Sequence, residues 1–247
     1  MNKLKESYKI LKYSIISFFL LIFISKNAFS TDVIFKIIGN KFTDSDVILS
    51  LLKDVPQNNE VDYSNDIIKT LNESNLFDDV RIELIDNQYL IYIKEFPNIN
   101  KINFDKNERL KDEDLQLIAS ELNLTNLNLL KINLFIKEIK KQYQSYGYNN
   151  VKIDFTKNIY EDTNTVDLYF KIQEGDITKI NKIEIIGNNS ILAHEIKGII
   201  NSKTKSIRNI FANNNYKPTS VERDKYTIIN YYKQNGFIDT TVKTTVE

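Results

Sequence analysis

The sequence predicts an α+β chain built from tandem β-α-α-β-β units, with a third copy that is incomplete. Two observations carry this. A short strand-like run ending in a turn occurs three times, as "FKIIGN" (Phe35–Asn40), "INFDKN" (Ile102–Asn107) and "IEIIGN" (Ile183–Asn188). A helical pattern ending on an aromatic step also occurs three times, at Leu76-Phe77, Gly147-Tyr148 and Gly236-Phe237, and a β-rich run follows each one.

In the strand-like runs the apolar residues fall five and three positions before the final Asn: Phe35 and Ile37, Ile102 and Phe104, Ile183 and Ile185. That two-residue period turns one face of a strand toward a core. Gly-Asn then favours positive φ and stops the strand. In the second copy Lys106 stands in place of Gly, which predicts a turn that is less strained or of another type.

Each turn leads into a helix. Thr43–Asp46 fits a capping box, and Val47 and Leu51, joined by Ile48 and Leu52, form an apolar stripe. The second helix is clearest in the middle copy, where Ile132, Phe135, Ile136, Ile139, Tyr143 and Tyr146 recur at helical spacing and Gly147 is the stop. Its counterparts carry Ile67, Ile68 and Leu71 in the first unit, and Val221, Ile228, Ile229 and Tyr232 in the third. Thr219–Glu222, just after Pro218, reads as the capping box of the last helix.

After the aromatic step Val80 and Ile82 match Val151 and Ile153, then Thr240 and Val242. Asp86-Asn87 is the turn of a hairpin into Gln88–Ile93, and Tyr160–Asn164 joins the equivalent pair in the second unit. The expected units are residues 31–95, 97–175 and 177–247. The third has two departures. Its Asn-to-aromatic span is 49 residues, against 37 and 41, with the surplus in a basic loop at Asn201–Pro218 that includes Ile207, Ile210 and Phe211. Only ten residues follow Phe237, too few for a last strand, so the third unit reads as truncated and the chain as a fragment.

Residues 1–30 have the layout of a secretory signal peptide: Lys3, Lys5, Lys9 and Lys12, a ten-residue apolar core at Ile15–Ile24, and small residues Ala28 and Ser30 before Thr31. The apolar core is too short to span a bilayer, which takes about 20 residues. The alternative is an uncleaved N-terminal anchor. Without this segment, which holds five lysines and one glutamate, 28 basic and 32 acidic groups remain. That balance argues against a nucleic-acid partner, which demands a basic excess.

Catalytic chemistry is not indicated. There is no cysteine, which excludes disulfides and thiolate sites, and the one histidine, His194, adjoins Glu195 on a helix where neighbours do not face each other. Asp44/Asp46 and Asp112/Glu113/Asp114 sit at helix starts, where carboxylates complement the dipole, and Asp78/Asp79 lies at the start of a strand. No calcium-loop, phosphate-loop or nucleophile-elbow motif occurs, so no catalytic residue, metal or cofactor is expected.

The ordered set of signal peptide, serial β-α-α-β-β units, Asn turns, aromatic steps and the Glu174-Gly175 exit resembles the POTRA (polypeptide-transport-associated) region of BamA-type outer-membrane assembly factors. The resemblance covers residues 31–247. It implies a three-stranded mixed sheet per unit, covered by two helices, with the last strand central and the second at an edge. It also implies a non-enzymatic periplasmic scaffold, associated with the outer membrane only through a C-terminal barrel absent from this sequence. Its partners would be unfolded outer-membrane protein precursors, added to sheet edges by β-augmentation, and accessory assembly lipoproteins. Carried over by alignment, the edges are Val80–Leu84, Val151–Phe155 and Thr240–Val246, with Val80, Ile82, Val151, Ile153, Thr241, Val242 and Lys243 as candidate contact residues. The alternative within the same fold is a partner-binding protein of two-partner secretion or cell division.

Overall fold

The computed structural model describes residues 34–55, 60–86, 88–205 and 213–247. The segment read as a signal peptide, and Asn87, Ile207, Ile210 and Phe211, lie outside the described residues.

In the first unit β1 (Ile34–Ile38) leads to α1 (Ser45–Leu51), α2 (Glu60–Glu73), β2 (Phe77–Ile85) and β3 (Gln88–Glu95). In the second, β4 (Asn98–Asp105) leads to α3 (Asp112–Glu121), α4 (Leu129–Tyr146), β5 (Lys152–Tyr160) and β6 (Thr165–Gln173). Strand order is β1-β3-β2 in one sheet and β4-β6-β5 in the other, so each sheet is mixed, parallel on one side of the central strand and antiparallel on the other. The parallel pairing follows from connectivity, because two helices carry the chain back before the edge hairpin forms.

Alternation on the central strands sets the cores. Tyr89, Ile91 and Ile93 of β3 are buried with Ile48, Tyr63, Ile67, Leu71 and Phe77. Leu168, Phe170 and Ile172 of β6 are buried with Leu115, Phe135, Ile139, Tyr143 and Ile153. Register places Ile37 beside Ile91, and Phe104 beside Phe170, whose ring it stacks on at 5.9 Å. Of the residues expected in the cores, Phe35, Ile37, Ile102, Phe104, Ile136 and Tyr148 are only partly buried and pack around the rim.

The repeated Asn does more than end a strand. The Asn40 amide donates to Thr43 O at 3.1 Å, the Asn107 amide to Leu110 O at 2.9 Å and the Asn188 amide to Ile191 O at 2.9 Å, closing the same loop before the first helix of each unit. Lys106 corrects the expectation of a different turn. Its φ is 64°, left-handed like Gly39 at 98° and Gly187 at 80°. Relief of the left-handed conformation is worth about 1–2 kcal/mol, and glycine gives back about 0.5–1 kcal/mol in unfolded-state entropy. Lys106→Gly should therefore raise stability by about 0.5–1 kcal/mol, seen as a higher urea midpoint at unchanged slope.

The helix starts also differ from expectation. Asp44, not Thr43, is the N-cap of α1, and it makes no side-chain cap bond. The amides of Lys41, Phe42 and Thr43 instead donate to the Glu95 carboxylate at 3.1, 3.0 and 2.6 Å, from the far end of β3. Glu174 repeats this in the second unit, accepting from Arg109 N at 2.7 Å. Pro218 is the first residue of the last helix, behind Lys217, so Thr219–Glu222 lies inside that helix and not at a capping box.

The third unit contains α5 (Ala193–Ile199) and α6 (Pro218–Gln234) but no ladder among the described residues. Ile183–Ile185 and Thr240–Val246 are in no strand. In the two complete units neither outer strand pairs with the other; both pair only with the central one. Among the described residues of the third unit no strand stands where β3 and β6 stand in the first two, and neither Ile183–Ile185 nor Thr240–Val246 is paired.

Candidate functional site

The features that successive units present in the same place are the edge strands β2 and β5, each nine residues long and paired on one side only. An edge strand offers a row of main-chain donors and acceptors to an added strand.

Side-chain placement separates the candidate residues. Val80, Val151 and Ile153 are buried, and Ile82 is half-buried against the first core. Val151 immediately precedes β5 and is not part of it. These side chains hold the edge in place, and a partner would meet the main chain and the outward Arg81 and Glu83 on β2, or Asp154 and Thr156 on β5. Thr241, Val242 and Lys243 lie outside any strand, which corrects the expectation of a third edge at Thr240–Val246.

The first edge carries paired charges. Lys94 bridges Asp78, Arg81 lies 3.1 Å from Asp79, and the Tyr92 hydroxyl donates to Glu83 at 3.2 Å. Burial, then the Glu83 carboxylate, raises the Tyr92 hydroxyl above its ordinary value, and the Asp78 partner raises Lys94. Charges along an edge discourage indiscriminate pairing while leaving the main chain open. On the second edge the Tyr160 hydroxyl donates at 3.2 Å to Asp167, which also accepts from Asn100 at 2.8 Å. The far ends of both strands are apolar and exposed, at Leu84 and Ile85 on β2 and at Ile159 and Tyr160 on β5.

The aromatic step takes a one-residue correction. The left-handed residue that ends the second helix is Asn75 in the first unit (φ 58°) and Gly147 in the second (φ 100°). Gly147 thus matches Asn75, not Leu76, and the extra residue of the first unit is absorbed by the register shift between Phe77 and Asp79. A bulge of this kind leaves one residue unpaired and returns the strand to register.

His194 is exposed on α5. Among the described residues no group of three or more His, Asp and Glu side chains is placed to hold a metal ion, and no helix is long and apolar enough to cross a membrane.

Among curated proteins, the chain is 25% identical to the outer membrane protein assembly factor BamA of Neisseria meningitidis serogroup B over 181 residues, 72% of this chain and 23% of that protein. It is also 25% identical to BamA of Neorickettsia risticii over 222 residues, 89% of this chain and 30% of that protein. The chain therefore spans roughly a quarter to a third of the length of these relatives. Among solved structures, the crystal structure of Haemophilus influenzae BamA POTRA3-5 aligns with 84% of this chain and 86% of its own, at 13% identity and a TM-score of 0.40. The family model described as POTRA, surface antigen variable number repeat, matches residues 97–175 and again 178–247, well over half of the chain, and the chain belongs to the POTRA family.

Proposed function

We propose that the chain is a periplasmic docking and scaffolding module of outer-membrane protein assembly, with no catalytic role. Its units, residues 31–95, 97–175 and 177–247 behind a signal peptide over 1–30, receive unfolded β-barrel precursors along sheet edges and offer surfaces to accessory lipoproteins. The observation that carries this reading is the recurrence of a nine-residue antiparallel edge strand, β2 and β5, at the same position of successive sheets. The naming of the relatives as outer-membrane assembly factors supports it. Main-chain pairing gives affinity with little side-chain selectivity, which suits a scaffold that handles many barrel strands of alternating pattern.

The test uses a photo-crosslinker placed in turn at each position of β5 and an amphipathic peptide patterned like an outer-membrane strand. Crosslinking yield should alternate with period two along the strand. Proline at β5 residues whose N–H points away from β6 should abolish the yield while the far-ultraviolet spectrum stays the same, because a donor is lost but no core side chain is. Undiminished crosslinking after those substitutions would remove β5 as a docking edge.

A further inference from the structure

The two joints between units are built by the same device. In the second unit the loop between α3 and α4 pairs with the linker that enters the unit: Ile99 N donates to Thr125 O at 2.8 Å, Leu127 N donates to Pro97 O at 2.9 Å, and Asn98 bridges Asn126. In the third unit Ile180 N donates to Asn214 O at 2.7 Å, Tyr216 N donates to Thr178 O at 2.8 Å, and Lys179 bridges Asn215. The offsets are identical. Asn126 and Asn215 also sit at the same distance from their helices, three residues before Leu129 and Pro218.

Each of these Asn side chains reaches out of its own unit. The Asn126 amide donates to Asn75 O, and the Asn215 amide donates to Tyr146 O at 3.2 Å. Both acceptors lie in the turn that ends the second helix of the preceding unit. Tyr146 O is among the last carbonyls of α4, which have no partner within the helix, and Asn75 O lies two residues past the end of α2. Side-chain contacts back up each reach. Asn128 meets Asn75 Oδ1 at 3.4 Å, Asn149 donates to Tyr216 O at 3.0 Å, and a Cβ on Gly147 would come within 3.0 Å of Asn215 Cβ. Among the described residues, the buried side-chain oxygens without a partner, Asn126 Oδ1, Asn149 Oδ1 and Thr178 Oγ1, all lie at these joints. At the second joint the equivalent oxygen, Asn215 Oδ1, accepts from Lys179.

We propose that Asn126 and Asn215 are positioning residues, latches that set the orientation of each unit against the one before and so fix where successive sheet edges point. Main-chain pairs and side-chain amides tie each joint, with Ile177 packed beside Gly147 at the second one. The directional hydrogen bond then decides the angle. The inference stands on the joint geometry and is independent of what binds the edges.

The absence of cysteine permits clean labelling. Spin labels go on exposed residues of the three second helices: Lys69, Lys137 and Asn230. Asn126→Asp keeps the shape and replaces the donor with an oxygen that faces a carbonyl, and Asn215→Asp does the same at the other joint. The parent should give narrow distance distributions for both pairs. N126D should broaden the 69–137 distance at least twofold and leave 137–230 unchanged, and N215D should do the reverse, with hydrogen exchange inside each sheet unaltered. If a buried carboxylate unfolds the unit, Asn126→Ala and Asn215→Ala give the same reading. Broad distributions in the parent, or distributions that neither kind of variant changes, would overturn the proposal.

Discussion

Replacing Tyr143 by alanine should destabilise the second unit by about 3–5 kcal/mol, the range for truncating a large buried aromatic. Tyr143 is fully buried on α4, its ring meets Tyr148 edge-on at 6.0 Å, and its hydroxyl donates to Glu174 at 2.8 Å. Burial first, and the Glu174 carboxylate second, holds that hydroxyl well above the usual tyrosine range, so it remains a proton donor at any physiological pH. Alanine leaves a cavity and also removes a donor from the carboxylate that organises the loop at Arg109. Against a domain stability of about 5–15 kcal/mol this is a large share. Tyr143→Phe separates the two contributions. It keeps the packing and loses one bond to a charged acceptor, worth about 1.5–3 kcal/mol. Urea unfolding followed by exchange at Leu168 and Ile172 reads both variants, and a loss below about 1 kcal/mol for alanine would show that the position is not part of the core. Tyr148, the aromatic of the repeated step, is half-buried and should respond less.

Gly39→Ala should cost the first unit about 2–5 kcal/mol. The φ of 98° takes a penalty of about 1–2 kcal/mol for any residue with a Cβ. The added carbon would also stand 2.2 Å from Ile93 O. That oxygen belongs to the main chain of the central strand and cannot swing aside, so overpacking adds about 1–3 kcal/mol. The same substitution at Gly187, φ 80°, should show only the conformational part, since no atom lies within 4 Å of a Cβ there. A first unit that melts at the same temperature with alanine as with glycine would mean that the turn does not abut β3.

The sequence by itself determined the repeat, and through it the fold class. Period-two spacing in the strands, helical spacing in Ile132–Tyr146 and the Gly147 stop are local signals, and in the first two units the elements formed where they stand, whereas the same spacing at Ile183–Ile185 formed no strand. Tertiary structure decided what local pattern could not carry. Glu95 and Glu174 bind amides more than fifty residues away, so no spacing rule pointed to them in place of Thr43 as the groups that hold those loops. Lys106 entered a left-handed turn against its own preference because the strand and helix on either side require that turn. Val80 and Ile153 alternate as edge residues should, but which face of the strand was core depended on the helices above it, and those helices turned both side chains inward. The Asn latches were the least legible of all. Asn is abundant throughout the chain, and only the approach of one unit's loop to the end of the previous unit's helix gave Asn126 and Asn215 an acceptor that no local pattern encodes.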